Sequence, residues 1–293
     1  MANLTALIPL DTTDFSESAL QLLPLLKEIG FDKVRLMSAY DPKKKNLNMD
    51  LLASYLQGKA SRVTALGMEC ETRVLEGDAA EVILAAADAS DVDLIVIATH
   101  GRTGIARLRF GSVGDKLIKN APCPRLVIGP NVEIDLASYD LTHILVPLDG
   151  SELSEMSLPI ARYLAKACHA QVDLIRAVSP TAVVADPAMG AVDLLTPMLD
   201  EASTYLAGIE KTFSDTQVTS TVVTGRPDDA IIDHMKKNVN DLAIMVSSGR
   251  TGLARAAMGS TTERVLQGPD PVLVFEPGED RSRLFQAARA AAN

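Results

Sequence analysis

Two glycine-rich stretches hold the residues of this chain whose types and spacing could do chemistry. The first reads Asp93-Leu94-Ile95-Val96-Ile97-Ala98-Thr99-His100-Gly101-Arg102-Thr103-Gly104 and continues to Gly111-Ser112. The second starts at Asp241 and carries Gly249-Arg250-Thr251-Gly252 and then Gly259-Ser260. Gly101, Gly104, Gly111 and Ser112 thus recur 148 positions later, at 249, 252, 259 and 260. Each stretch reads as a buried strand, a loop and the start of a helix. The chemistry this suits is phosphate binding, because a helix N-terminus presents unpaired N–H groups and a positive dipole end, and glycine lets the backbone approach the ligand. Ser112 and Ser260 can cap their helices or give a hydroxyl to an oxygen. Asp11 follows Pro9-Leu10 and Asp149 follows Pro147-Leu148, each at the end of an apolar run. There a carboxylate can accept a hydrogen bond from a ribose hydroxyl, or simply fix a turn.

Familiar catalytic patterns are missing. The chain has no GxxxxGK[ST] P-loop and no GxGxxG turn, and no GxSxG elbow or kinase signature set. His100 has Ser248 as its counterpart and no paired carboxylate, so it reads as a loop histidine. His143, His169 and His234 show no metal-ligand spacing. Binding is therefore expected before catalysis, and any turnover would be slow.

These residues need elements to position them. An apolar strand over 4–10 is followed by a leucine-rich helix from about Phe15 to Ile29, with a kink expected at Pro24. Strands over 33–39, 69–75, 93–99 and 125–128 alternate with helices over 49–66, 78–89 and 112–120. Strands alternating with helices mean a parallel sheet covered on both faces. After a linker over 129–141 the plan restarts at His143. Pro9 and Asp11 recur 138 positions later, at 147 and 149, whereas Gly77 recurs at 225, 148 positions later. The second copy therefore carries ten extra residues around 179–193, either a lid at the crevice or a tolerated surface loop. The expected fold is α/β, two tandem doubly wound five-stranded parallel sheets. With strand order 3-2-1-4-5, each ligand crevice lies between strands one and four, where the order reverses. The expected boundaries are 1–137 and 138–278, followed by a tail over 279–293 that reads as a weak, fraying helix.

Composition narrows the setting. A chain of 293 residues is long enough for two cores. Hydrophobic residues make up 47 % and tryptophan is absent, so those cores are aliphatic. A net charge of −10 disfavours general nucleic-acid binding. No apolar run approaches the ~20 residues of a membrane span, and no signal peptide is expected at Met1-Ala2-Asn3-Leu4. Three cysteines without a CxxC pair fit a reducing cytoplasm.

The segment from Ile95 to Gly104, followed by Gly111-Ser112 and Ala121-Pro122-Cys123-Pro124, resembles the most characteristic part of the universal stress protein family. Pro9-Leu10-Asp11 and Pro147-Leu148-Asp149 are similar to its strand-one end. The chain is identified as a tandem member, with an adenine-nucleotide alpha-hydrolase-like fold implied. The ATP-binding branch has the pattern G-x2-G-x9-G-[S/T], which falls on Gly101, Gly111 and Ser112, and on Gly249, Gly259 and Ser260. Its first glycine is replaced by Ala98 and Val246. The resemblance implies that Asp11 and Ala39 meet adenine and ribose, and that Ala98, Gly101, Gly111, Ser112, Val113 and Gly114 meet ribose and phosphates. Pro9, Ile97 and Arg102 complete that set. Its second-half equivalents are Pro147, Asp149, Ala177, Val246, Gly249, Gly259, Ser260, Thr261 and Thr262. The implied ligand is ATP, with or without Mg2+, in a stress-response module that partner proteins read. The implied assembly packs the halves through their fifth strands about a pseudo-two-fold, with a homodimer as a further step. A nucleotide-free structural module stays open, because both first glycines are missing. A slow ATP hydrolase also stays open, although no base or metal set supports it. Were a positive φ required at these positions, Val246 would tolerate it worse than Ala98, so the first half is expected to bind better.

Overall fold

The computed structural model describes residues 3–43, 48–88, 91–99, 110–132, 139–179, 195–237, 241–247, 258–279 and 282–291. Gly101, Arg102, Gly249 and nearly all of the ten-residue insertion lie outside the described residues.

The first half runs β1 (Leu4–Pro9), α1 (Asp14–Glu17), a 3-10 segment (Ser18–Leu22), α2 (Leu23–Glu28), β2 (Phe31–Tyr40), α3 (Met49–Thr64), β3 (Glu69–Glu76), α4 (Ala79–Asp88), β4 (Leu94–Ala98), α5 (Ser112–Asn120) and β5 (Arg125–Ile128). The second half runs β6 (His143–Pro147), α6 (Glu152–Glu155), α7 (Leu158–Cys168), β7 (Gln171–Val178), α8 (Leu195–Glu210), β8 (Val218–Thr224), α9 (Pro227–Lys237), β9 (Leu242–Val246), α10 (Ser260–Val265) and β10 (Val272–Phe275). A last helix, α11, spans Arg283–Ala291. The expected single helix over 15–29 is instead three short pieces. Pro24 sits at the second position of α2, where a missing N–H costs nothing, and the 3-10 turn before it takes up the bend.

Within each half the strands are parallel, and their central members are short aliphatic runs buried on both faces. The two sheets merge into one of ten strands, ordered β3-β2-β1-β4-β5-β10-β9-β6-β7-β8. Only the central seam is antiparallel, with Arg125 opposite Val274 and Leu126 opposite Leu273. Arg125 is fully buried at this seam. Its guanidinium donates to the Ile118 and Cys123 carbonyls and reaches Glu279 at 2.6 Å and Glu276 at 3.3 Å. Burial dominates at Glu279 and pushes its carboxyl up to about 7 despite the nearby cation.

Among the described residues of the tail, α11 is packed rather than frayed, contrary to the expectation from its alanines. Leu284, Phe285 and Ala288 of α11 are buried, and Phe285 meets Phe275 edge-on at 4.7 Å between centroids. Arg283 donates to both oxygens of Asp93 at 2.9 and 2.7 Å and to the Asp91 carbonyl at 2.8 Å. Asp93 is itself buried and accepts from the Thr5 N–H, tying the start of β4 to β1. The helix α11 thus packs on the second half, against α7 and β10, while Arg283 at its start ties it to the first half.

Candidate functional site

The carboxyl ends of β1, β2 and β4 and the start of α5 enclose a cavity of about 340 Å³. It lies at the β1–β4 switch point, where crossovers part to opposite faces of a doubly wound sheet and leave a crevice. Pro9, Asp11, Ala39, Ile97 and Ala98 line it from the strand ends. Gly111, Ser112, Val113 and Gly114 line it from α5. Every described residue of the first-half expectation is therefore gathered on one cavity. Sequence reasoning missed Ser16, Met37, Asp41, Leu52, Ile83 and Thr99, which also line it. The signal that points to several of them is topological, since β2 neighbours β1 with Pro9 opposite Met37.

The helix end facing this cavity lacks a side-chain cap. Thr13, Asn48 and Ser151 each cap α1, α3 and α6 by accepting from an N–H in the first turn. The N-cap of α5 is Gly111, which has no acceptor to offer. The first helical bond there runs from the Asp115 N–H to the Gly111 carbonyl at 2.9 Å, so the earlier N–H groups of the turn are left for a ligand. Ser112 is the first residue of α5 rather than its cap.

Asp11 holds its own loop. Its Oδ1 accepts from the Thr13 N–H at 3.1 Å and the Thr13 hydroxyl at 2.6 Å, while its N–H donates to Ser16 Oγ at 3.2 Å. Asp149 repeats this with Ser151 and Ser154. Between Asp11 and Thr13, Thr12 has φ 69°, where the second half has Gly150 at φ 82°. A β-branched residue in that region is strained.

The second-half residues occupy the equivalent places with different surroundings. Pro147 ends β6 and Asp149 follows it, Ala177 lies in β7, Val246 ends β9, and Gly259 is the N-cap residue of α10, again with no side-chain cap, with Ser260, Thr261 and Thr262 in the first turn. Thr262 stands where the first half has Gly114, and its buried hydroxyl donates to the Val246 carbonyl at 3.2 Å. Opposite it, Ser247 replaces Thr99. A Cβ on Gly114 would come within 2.6 Å of Thr99 Cγ2, so each half pairs one small residue with one larger. Arg176 replaces Ser38 and packs under the turn after β6, its Nη2 3.1 Å from where a Gly150 Cβ would be. Glu201 at 2.9 Å and the Tyr205 ring at 4.8 Å hold it there.

The condition for backbone strain at the missing glycines does not arise. Neither Ala98 nor Val246 has a positive φ; both end parallel strands in extended backbone. The strain argument against Val246 therefore falls, and what remains is bulk, since its side chain is buried in the second-half core.

Chemically the first cavity can bind but shows little that could react. Burial pushes the thiols of Cys70 to about 11 and of Cys123 and Cys168 to about 12, so none is an activated nucleophile. Among the described residues no three His, Cys, Asp or Glu side chains are grouped to hold a metal ion. No described helix is long and apolar enough to cross a membrane.

The universal stress protein family model matches this chain twice, over residues 27–129 and 141–276. The chain belongs to the universal stress protein family. Universal stress protein Rv2005c of Mycobacterium tuberculosis is 29 % identical over 188 residues, which cover 63 % of this chain and 62 % of that protein. The match thus spans less than two thirds of that relative's length. Universal stress protein MJ0531 of Methanocaldococcus jannaschii is 32 % identical over 137 residues, covering 45 % of this chain and 81 % of its own. Among solved structures, a universal stress protein from Archaeoglobus fulgidus shares the fold with a TM-score of 0.69 at 19 % identity. The alignment covers 95 % of this chain and all of that one.

Proposed function

We propose that this universal stress protein binds one adenine nucleotide, ATP in the first instance, in the first-half cavity, and that it acts as a nucleotide-dependent regulatory module. The observation that carries the reading is the uncapped start of α5 at Gly111, opening on a cavity with apolar walls. A phosphate takes the place of the missing cap. The volume falls in the range of small-ligand pockets. Asp11 and its loop border the sugar, and the β2 end borders the base. Any Mg2+ would be held chiefly by the phosphates, since the described residues supply no cage. The second half serves as a packed lobe. Its counterpart of Gly114 carries the buried Thr262 side chain, and Arg176 is committed to Glu201 beneath the Gly150 turn.

Gly111→Asp tests the reading. Gly111 has φ −59° and ψ 155°, which any residue adopts. An aspartate there caps α5 itself, occupies the free N–H groups and repels phosphate, while stabilising the helix by a few tenths of a kcal/mol or about that much. ATP titration by calorimetry should give about one site per chain in the wild type. The variant should bind about 100-fold more weakly with an unchanged or higher Tm. Equal ATP affinity in the variant would reject the α5 phosphate site.

A further inference from the structure

The polar side chains around the first cavity divide sharply by what they already do. Ser16 Oγ donates to the Thr13 carbonyl at 2.9 Å and accepts from the Asp11 N–H. Thr99 Oγ1 is turned to the Ile128 carbonyl, and Asp11 is committed to its own loop. Among the described polar side chains that line it, Ser112 and Asp41 keep capacity for a ligand, and they stand at opposite ends. Ser112 is at the start of α5 beyond β4, and Asp41 follows the end of β2. Asp41 uses Oδ1 to accept from the Lys43 N–H at 3.0 Å; its Oδ2 has no partner among the described residues.

The strand order fixes what each end meets. β1 lies between β2 and β4. A nucleotide with its phosphates on α5 places its sugar over the end of β1 and its base toward β2. The β2 end is walled by Met37, Leu52 and Ile83, all buried and without hydrogen-bonding groups suited to a base edge. A carboxylate at the rim of an apolar slot accepts hydrogen bonds and cannot donate them. It therefore rewards a base edge that bears an N–H2 group and penalises one that bears a carbonyl oxygen. The second half has Ser179 at the equivalent position.

We propose that Asp41 is the specificity-determining residue of this cavity, its free carboxylate oxygen accepting from the exocyclic amine of a 6-aminopurine and excluding 6-oxopurines. The assignment rests on the nucleotide reading above and adds the group that chooses the base. Asp41 is half-exposed, so water competes and the selection is about tenfold rather than thousandfold.

The experiment is calorimetric titration of the full chain with ATP, ITP and GTP, for wild type, Asp41→Asn and Asp41→Ser. Wild type should prefer ATP over ITP by about tenfold. Asp41→Asn, whose amide can turn either its oxygen or its N–H2 to the base, should bring the two within about threefold, partly by tightening ITP. Asp41→Ser should weaken ATP and, with the repelling carboxylate gone, bind ITP at least as tightly as wild type. Thermal unfolding of the free variants checks that each remains folded. An ATP-to-ITP ratio that Asp41→Asn leaves intact would overturn the assignment, as would a wild type that binds the two equally. Tighter binding of GTP than ATP would also overturn it, because the carboxylate would then be reading the N1–H and 2-amino edge of guanine. If wild type binds none of the three, both this assignment and the nucleotide reading fall. If it binds ATP but Gly111→Asp binds it equally well, the α5 phosphate site falls on its own account.

Discussion

Gly114 and Thr99 in the first half, and Thr262 and Ser247 in the second, form a natural size exchange whose energetics can be worked out. A Cβ at Gly114 would lie 2.6 Å from Thr99 Cγ2 and 3.2 Å from Thr99 Cβ. Carbon contacts prefer about 3.5–4.0 Å, so Gly114→Thr overpacks this site. Overpacking costs about 1–3 kcal/mol, offset by a few tenths, or about that, from threonine's better helix propensity than glycine's. The net expected loss is about 1–2 kcal/mol. Thr99→Ser removes the clashing methyl and by itself costs about 0.8 kcal/mol or less. Together the two changes recreate the second-half pair, and the new hydroxyl has the Ala98 carbonyl as Thr262 has that of Val246. The double variant should therefore sit close to wild type, with a favourable coupling of about 1–2 kcal/mol. Urea unfolding midpoints at constant slope for the four proteins of the cycle read this directly. A Gly114→Thr variant as stable as wild type, or a double variant no better than Gly114→Thr alone, would refute the packing argument.

Glu279 makes stability pH-dependent at the seam. Its carboxyl is raised to about 7 in the folded chain, chiefly by burial, beside Arg125 and Glu276. Its contribution is present below its ordinary range near 4.5 and is lost as pH rises through 7. Urea midpoints measured from pH 5 to 8 should fall with rising pH, and Glu279→Gln should flatten that part of the profile; an unchanged slope would count against it. Thr12→Asn should raise the urea midpoint by about 1 kcal/mol of stability, because asparagine accepts the left-handed backbone that strains threonine.

The repeat made much of this molecule legible. Pro9 and Asp11, echoed by Pro147 and Asp149, marked the ends of β1 and β6. The shared glycines placed β4, β9 and the helices after them. What stayed hidden depends on partners distant in sequence. Nothing local in the alanine-rich tail reveals that Arg283 reaches Asp93 or that Phe285 finds Phe275. Asp41 and Leu52 line the cavity, yet no motif marked them even though the expected strand order already set β2 beside β1. Ser38 and Arg176 are equivalent in the repeat but unlike in chemistry, and only the geometry shows the second committed beneath the Gly150 turn. No backbone strain arises at Val246 because the parallel ladder continues through it, pairing it with Phe275.

The antiparallel seam has a consequence for signalling. Because β5 and β10 run in opposite directions, the carboxyl ends of β1 and β4 open on one rim of the sheet and those of β6 and β9 on the other. The molecule is a plate with two heads facing away from each other. Under the nucleotide reading proposed above, a protein docked over the first mouth would sense ligand there and would meet the amino-terminal ends of the second half's strands. On that reading, news of nucleotide would reach the far rim through the plate itself, across the seam where Arg125 is clamped.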